Sequence, residues 1–351
     1  MASRLSNIDF MRTTAIFIMI IANAAPYVME KPNPNAMRLI CSLAAPLFIF
    51  LSGFSFYLSF TKNKNYKQKF WQGFYLMCTA VGIDWLIWGT LPFQAFDVLY
   101  LISIGIFVNI LIFNFHVYAK LFIALACIAA SILLQNKYGY RFSIEDSTDN
   151  MRFSMDFLQS IQFQSQRLFV DGWFPIFPWI SFAIIGCLVA EKMESILYIL
   201  KSVLVSSLLL FILGIVLLFN ANTLQGEREG YLEFFYPASP VYLLIAFSFI
   251  FLLFTSTANF KLPNGLSFIN VFGRNSLFVY IFHAAIISFV LTPLFEIAKG
   301  GYELLNGYRF ALLSTAFILL CCFVAFLSEW LSKNGYFKYV LTPVKHILGL
   351  K

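Results

Sequence analysis

Apolar residues run in long blocks broken by short polar intervals, with no alternation of the kind that marks barrel strands. Ten blocks approach or reach the roughly 20 residues that a helix needs to span hydrocarbon. They cover about 10–29, 38–60, 70–89, 95–114, 117–135, 173–191, 196–219, 239–258, 273–296 and 309–331. The pattern predicts an all-α fold: a polytopic membrane helix bundle of about ten transmembrane helices, forming a single domain over 1–351. Two segments fall outside the blocks, the loop 136–172 and a basic tail at 332–351. In the loop, Met155, Leu158 and Ile161 recur at helical spacing, which predicts a short amphipathic helix at the membrane surface; a solvated connector is the alternative.

Composition agrees with the pattern. The chain is 60% hydrophobic and 12% charged, and 43 of its 351 residues are Phe; soluble domains carry about twice that charge. The six cysteines (Cys41, Cys78, Cys127, Cys187, Cys321, Cys322) all fall inside apolar blocks, where they read as small hydrophobes rather than disulfide partners or metal ligands. No basic patch interleaved with stacking aromatics points to nucleic acid.

Net charge is +7, but its placement matters more. The connection 61–69 holds Lys62, Lys64, Lys67 and Lys69. Setting it on the cytoplasmic side puts most Lys and Arg inside, both termini cytoplasmic, the loop 136–172 extracytoplasmic and the tail 332–351 on the inner leaflet. Residues 1–24 also have the outline of a signal peptide ending at Ala22-Asn23-Ala24. The charge count favours their retention as a span.

A few polar residues break the apolar blocks. Asp9, Arg12 and Asn23 lie in or beside the first. Arg12 and Asn23 fall on one helix face about 16 Å apart along the axis, and Asp9 is spaced to pair with Arg12. Such groups face a bundle interior or cavity, because lipid does not solvate them. In the second block, Pro46 removes a backbone donor and Gly53 permits close helix approach, for packing or for shaping a site. Asp84, flanked by Trp85 and Trp88, reads as an interfacial charge or as a base in an outward cavity; Asp97 has the same two readings. Asn109 is expected to bond across helices. The prolines and tryptophans of Asp171–Trp179 suit a helix start in an aromatic belt. Late in the chain, Ser276, Tyr280 and His283 form one polar stripe, and His283 is the one histidine at membrane depth, His116 and His346 being in or near connections.

Three segments together resemble a known family. They are Ile8-Asp9-Phe10-Met11-Arg12 with Asn23, Phe174-Pro175-Ile176-Phe177-Pro178-Trp179 with Gly186, and Gly273-Arg274-Asn275-Ser276-Leu277 with Tyr280 and His283. Ala45-Pro46-Leu47-Phe48 through Gly53 adds to them. Their order and spacing resemble the transmembrane acyltransferase superfamily, closest to the heparan-alpha-glucosaminide N-acetyltransferase catalytic domain, with the acyltransferase type 3 proteins as relatives. The resemblance implies a cytoplasmic acyl-CoA donor, acetyl-CoA or another, with its thioester in a tunnel, and an acceptor on the far side. It implies that Asn23 lies near the transfer point and that Arg12 matches the family's basic residue eleven positions earlier. It also exposes a departure: where the glucosaminide enzymes carry a catalytic His, this chain has Pro34.

The expectation is therefore an integral membrane acyltransferase moving an acetyl-type group from acyl-CoA to an amine or hydroxyl of an extracytoplasmic envelope glycan or lipid, in a bacterial inner (plasma) membrane. Asn23, His283 and Asp84 are the expected catalytic residues, Asn23 as the oxyanion donor and His283 as the base if the two helices meet, with the carboxylates Asp84, Asp97 and Glu30 as the alternative base. Arg12 and Arg274, with Asp9 and Asn275, are expected to hold the CoA phosphates. No metal is called for, and the oligomeric state is open. The rival readings are a secondary transporter or flippase, which would show internal symmetry and broken helices, and a non-catalytic scaffold.

Overall fold

The computed structural model describes residues 6–94, 96–140, 157–220, 233–258, 268–298 and 304–333. The chain order of helices is α1 (Ser6–Val28), α2 (Asn35–Cys41), α3 (Ala44–Lys62), α4 (Tyr66–Ile83), α5 (Val98–Ile112), α6 (Val117–Tyr138), α7 (Phe157–Gln166), α8 (Ile176–Glu191), α9 (Met193–Tyr198), α10 (Leu200–Asn220), α11 (Pro240–Thr257), α12 (Phe268–Arg274), α13 (Ser276–Ile286), α14 (Thr292–Ala298) and α15 (Gly307–Lys333). Wider π turns continue α4 over Asp84–Trp88, follow α7 over Arg167–Asp171, and join α13 to α14 over Ile287–Leu291. Among the described residues there is no β-strand, only an isolated bridge between Met29 and Leu305.

Each of the ten apolar blocks is occupied by helix. Seven helical stretches are long and apolar enough to cross a membrane, and a bent pair, Gln162–Asp171 with Ile176–Glu191 at 48°, is an eighth candidate. The bundle is thus that of an integral membrane protein. The third and fourth blocks fall outside this set: α4 is 18 residues long and carries Lys67 and Lys69 in its first turn, and α5 has 15 residues, about 22 Å of helix, shorter than an untilted crossing needs.

Burial separates central from peripheral helices. In the most apolar windows of α1 and of the α2–α3 stretch, 61% and 67% of residues are buried, against 22% in α6 and 17% in α10. The centre is built on a crossing of α3 and α8. A Cβ on Gly53 would lie 1.8 Å from the Ala183 carbonyl oxygen, and one on Gly186 would lie 2.0 Å from that of Phe50. Only glycine at both positions lets the two backbones touch. Asn109 of α5 donates to the same Ala183 carbonyl at 3.4 Å, the interhelical bond expected of it.

The break between α2 and α3 falls at Ser42–Leu43, and Pro46 sits in the first turn of α3, where a missing N–H has no intrahelical acceptor. The start of α1 is seated on α12: a Cβ on Gly273 would lie 2.4 Å from the Asp9 carbonyl oxygen. Its far end is tied to the start of α15, with Leu305 donating to Val28 and Glu30 donating to Leu305. Helix α1 therefore runs the depth of the bundle between two fixed points, called here the Ser6 end and the Val28 end.

One aromatic expectation needs correction. Trp179 is not an interface anchor; it is 1% exposed and packs against Phe174, Phe182 and Phe235. Trp85, 69% exposed, keeps the outward position expected of an anchor. The helix α7 falls where Leu158 and Ile161 predict one. Met155, Arg4, Lys261, His346, the charged residues from Arg141 to Asp156 and the tail from 334 onward lie outside the described residues.

Candidate active site

Toward the Val28 end of α1, Asn23 meets His283, 260 positions later: its Nδ2 lies 3.0 Å from the imidazole Nε2. The docking of Gly273 on α1 delivers this contact, because α13 starts directly after α12 and carries its polar stripe back along α1. The other ring nitrogen, Nδ1, lies 3.0 Å from the Val279 carbonyl oxygen, which can only accept. That partner assigns the proton to Nδ1 and leaves Nε2 as the acceptor of the Asn23 amide hydrogen. His283 is fully buried. Asn23 then has one further amide hydrogen and its carbonyl oxygen for other groups.

Beside Asn23 lies a cavity of about 50 Å³, its wall including Asn23, Cys41, Asp97, Phe174, Glu233 and Tyr280. A volume of that size holds a few water molecules or a short acyl group. His283 is not part of the wall; it stands behind Asn23. Asp97, at the N-cap of α5, accepts the Val98 backbone N–H at 2.6 Å through Oδ1 and a short hydrogen bond from the Tyr280 hydroxyl through Oδ2. The polar stripe of α13 thus serves two partners, Tyr280 binding α5 and His283 binding α1.

Asp84 also lies at this end but does not reach the cavity wall. It is buried, and Tyr100 donates to its Oδ2 at 2.6 Å. Of the two carboxylates that the sequence singles out here, Asp97 is the one on the wall. Glu30 is exposed, its backbone N–H taken by Leu305. Glu233 is a wall residue that the sequence reading missed. It is 6% exposed, and the residues that follow it are held against the α2–α3 break. There Phe234 N–H donates to Ser42 Oγ at 2.7 Å, and Tyr242 donates to the Ser42 carbonyl at 2.7 Å. The run Glu233-Phe234-Phe235-Tyr236-Pro237 carries a signal, since a carboxylate joined to three aromatics beside a span is unusual for a solvated loop.

At the Ser6 end the groups are differently disposed. Arg12 pairs with Asp9 at 3.0 Å, as their spacing predicts, and makes a short hydrogen bond to Ser55 of α3. Arg274 Nη2 lies 2.8 and 2.9 Å from the two carboxylate oxygens of Glu329 on α15. Asn275 turns back to the Val271 carbonyl at 2.9 Å and closes α12. The four residues expected to hold phosphates are thus brought to one corner, where protein groups already engage them.

The chain matches the family model described as heparan-alpha-glucosaminide N-acetyltransferase, catalytic, over residues 4–199. No curated protein matches it. Asn23, Asp84, Asp97, Gly53 and the Phe174–Trp179 segment lie inside the matched region, whereas Glu233, Arg274, Tyr280 and His283 lie beyond it. The chain belongs to this family, whose description is that of an N-acetyltransferase catalytic domain, and its long apolar helices put that domain in a membrane.

Proposed function

We propose that this chain transfers an acetyl group from acyl-CoA, bound from the Ser6 end, to an amine or hydroxyl of a glycan or lipid that reaches the cavity from the Val28 end. In this reading the Ser6 end is cytoplasmic, the ten helical blocks all cross or enter a bacterial inner membrane, and both termini are inside. The observation that carries it is the Asn23–His283 contact, placed beside a cavity whose wall also holds Asp97 and Tyr280.

The chemistry follows from the atoms present. Attack on a thioester places negative charge on the carbonyl oxygen, and a preorganised N–H aimed at that oxygen lowers the barrier. The second amide hydrogen of Asn23 supplies such a donor, and His283, by accepting the first, fixes the amide's orientation; His283 is a positioning residue. Asp97 is held by the Val98 N–H and the Tyr280 hydroxyl and faces the same cavity. It takes the proton of the attacking N–H or O–H and returns it to the departing sulfur. A C–N or C–O bond forms, the C–S bond breaks, and CoA leaves as the thiol. Arg12 and Arg274 donate to phosphate oxygens at the far end of the acyl-CoA by exchanging part of their bonding to Asp9 and Glu329.

The test is thermal unfolding of purified protein with acetyl-CoA, CoA or ATP, alongside thiol release in the presence of amine and hydroxyl glycan acceptors. A ligand of the folded state raises the unfolding midpoint by mass action. Stabilisation by acetyl-CoA and CoA but not ATP, with acceptor-dependent thiol release that Asn23→Ala lowers about 10²- to 10³-fold, is the expected outcome. Absence of any shift with acyl-CoA, or full thiol release by Asn23→Ala, overturns the reading.

A further inference from the structure

Of the lysines between 61 and 69, Lys62, Lys64 and Lys67 are exposed, but Lys69 turns inward and is 8% exposed. Its ammonium donates to Ser59 Oγ at 2.6 Å and to Gln72 Oε1 at 2.8 Å, and it sits 5.6 Å from the centre of the Phe56 ring. Both oxygen partners are neutral, and among the described residues no carboxylate lies within ion-pair distance of it. Other buried cations are built differently: Lys120 has Glu191 at 2.6 Å, and Arg167 has Asp171 at 3.9 Å. An ammonium withdrawn from water without a counter-charge is destabilising unless something supplies one. Two of its three N–H donors are used, which leaves one for a ligand.

Its neighbour on α3 places Lys69 close to a second cation. Ser59 is exposed and stands one helical turn from Ser55, whose hydroxyl takes Arg12. Residues four apart share a face and are separated by about 6 Å along the axis. A guanidinium from α1 and an ammonium from α4 therefore meet consecutive turns of one strip of α3, the first already neutralised by Asp9 and the second not.

We propose that Lys69, with Ser59, forms a phosphate-binding site at the Ser6 end, and that it takes a phosphate of the acyl-CoA nucleotide. The inference rests on the acyl-CoA reading above and adds a binding residue to it. A phospholipid headgroup offers the same chemistry, so the experiment separates the two. Full-length protein in a neutral detergent is titrated with acetyl-CoA and with S-acetylpantetheine, which lacks phosphate. A second series reconstitutes it with phosphatidylcholine alone or with added phosphatidylglycerol. Lys69→Gln is expected to weaken acetyl-CoA binding about ten- to a hundred-fold while leaving S-acetylpantetheine unchanged. Lys69→Arg should retain most of the affinity, and Ser59→Ala, at an exposed position, should show a smaller loss without a folding defect.

Unchanged acetyl-CoA affinity in Lys69→Gln and Ser59→Ala overturns the nucleotide assignment and leaves the acyl-CoA reading standing. If the wild type binds no acyl-CoA, that reading falls by itself. Stabilisation by phosphatidylglycerol that depends on Lys69 would then assign the site to lipid phosphate, and indifference to both ligands would remove the site altogether.

Discussion

The two ends of α1 handle polarity in opposite ways. At the Ser6 end each arginine singled out by the sequence is matched by a carboxylate, Arg12 by Asp9 and Arg274 by Glu329, and the Arg274 pair is partly solvated. At the Val28 end there is an amide on an imidazole and two carboxylates on tyrosines, Asp97 on Tyr280 and Asp84 on Tyr100. Neither Asp84 nor Asp97 has a cation within ion-pair distance among the described residues. Matched charges anchor helices and greet solvated ligands, whereas buried groups held by neutral donors keep their electrostatic capacity for a reacting molecule. In the acyl-transfer reading proposed above, the contrast suits donor docking at one end and bond-making at the other, with Lys69, held by the neutral Ser59 and Gln72, as the exception at the docking end.

The contrast breaks first at Asp97. Asp97→Asn is expected to lower kcat about 10²- to 10⁴-fold, and Asp84→Asn much less, because only Asp97 is on the cavity wall. Equal losses in acetyl-CoA turnover assays would erase the distinction between the two carboxylates. Asn23→Ala follows, with about 10²- to 10³-fold lower kcat and unimpaired yield of folded protein. Next, His283→Ala should reduce kcat about ten- to a hundred-fold through a misplaced amide, with the KM for acetyl-CoA unchanged. His283→Gln, whose side-chain oxygen can still accept from Asn23, should recover part of the loss. A purely structural histidine would change stability and both kinetic constants together.

Smaller effects test the framework and the docking end. Gly186→Val pushes a side chain into the Phe50 carbonyl, and overpacking of this kind destabilises by about 1–3 kcal/mol, measurable as a lowered unfolding midpoint in detergent. Glu329→Gln removes the partly exposed partner of Arg274 and should shift stability by under about 1 kcal/mol. Its clearer signature is in binding: freed from Glu329, Arg274 should hold acetyl-CoA slightly more tightly, with the gain fading as salt rises.

Much of the architecture was legible because lipid imposes a simple grammar of long apolar blocks. The Asp9–Arg12 pair and the bridging role of Asn109 followed from helical spacing and from the poor solvation of amides in hydrocarbon. Spacing carries no information about elements far apart in the chain. It placed Asn23 and His283 on polar faces of separate helices, yet their meeting depends on Gly273 settling against the Asp9 backbone. The partner of Arg274 was hidden for the same reason, since Glu329 stands 55 positions away on another helix. Trp179 misled because tryptophan near a span end has two stable homes, the headgroup layer and an aromatic interior, and the difference lies in Phe235 arriving from a distant segment. Glu233 went unseen because the residue after it docks on Ser42, almost two hundred positions earlier.

The paired glycines at 53 and 186 have a mechanical consequence. With backbone resting on backbone at both glycines, α3 and α8 form a keel, and α3 carries Ala44, Ala45 and Phe48 of the cavity wall. In the acyl-transfer reading proposed above, a bulky acceptor would enter on the flank to which Tyr280 of α13 and Glu233 contribute. A covalent clamp across that flank would stall turnover with the donor still in place.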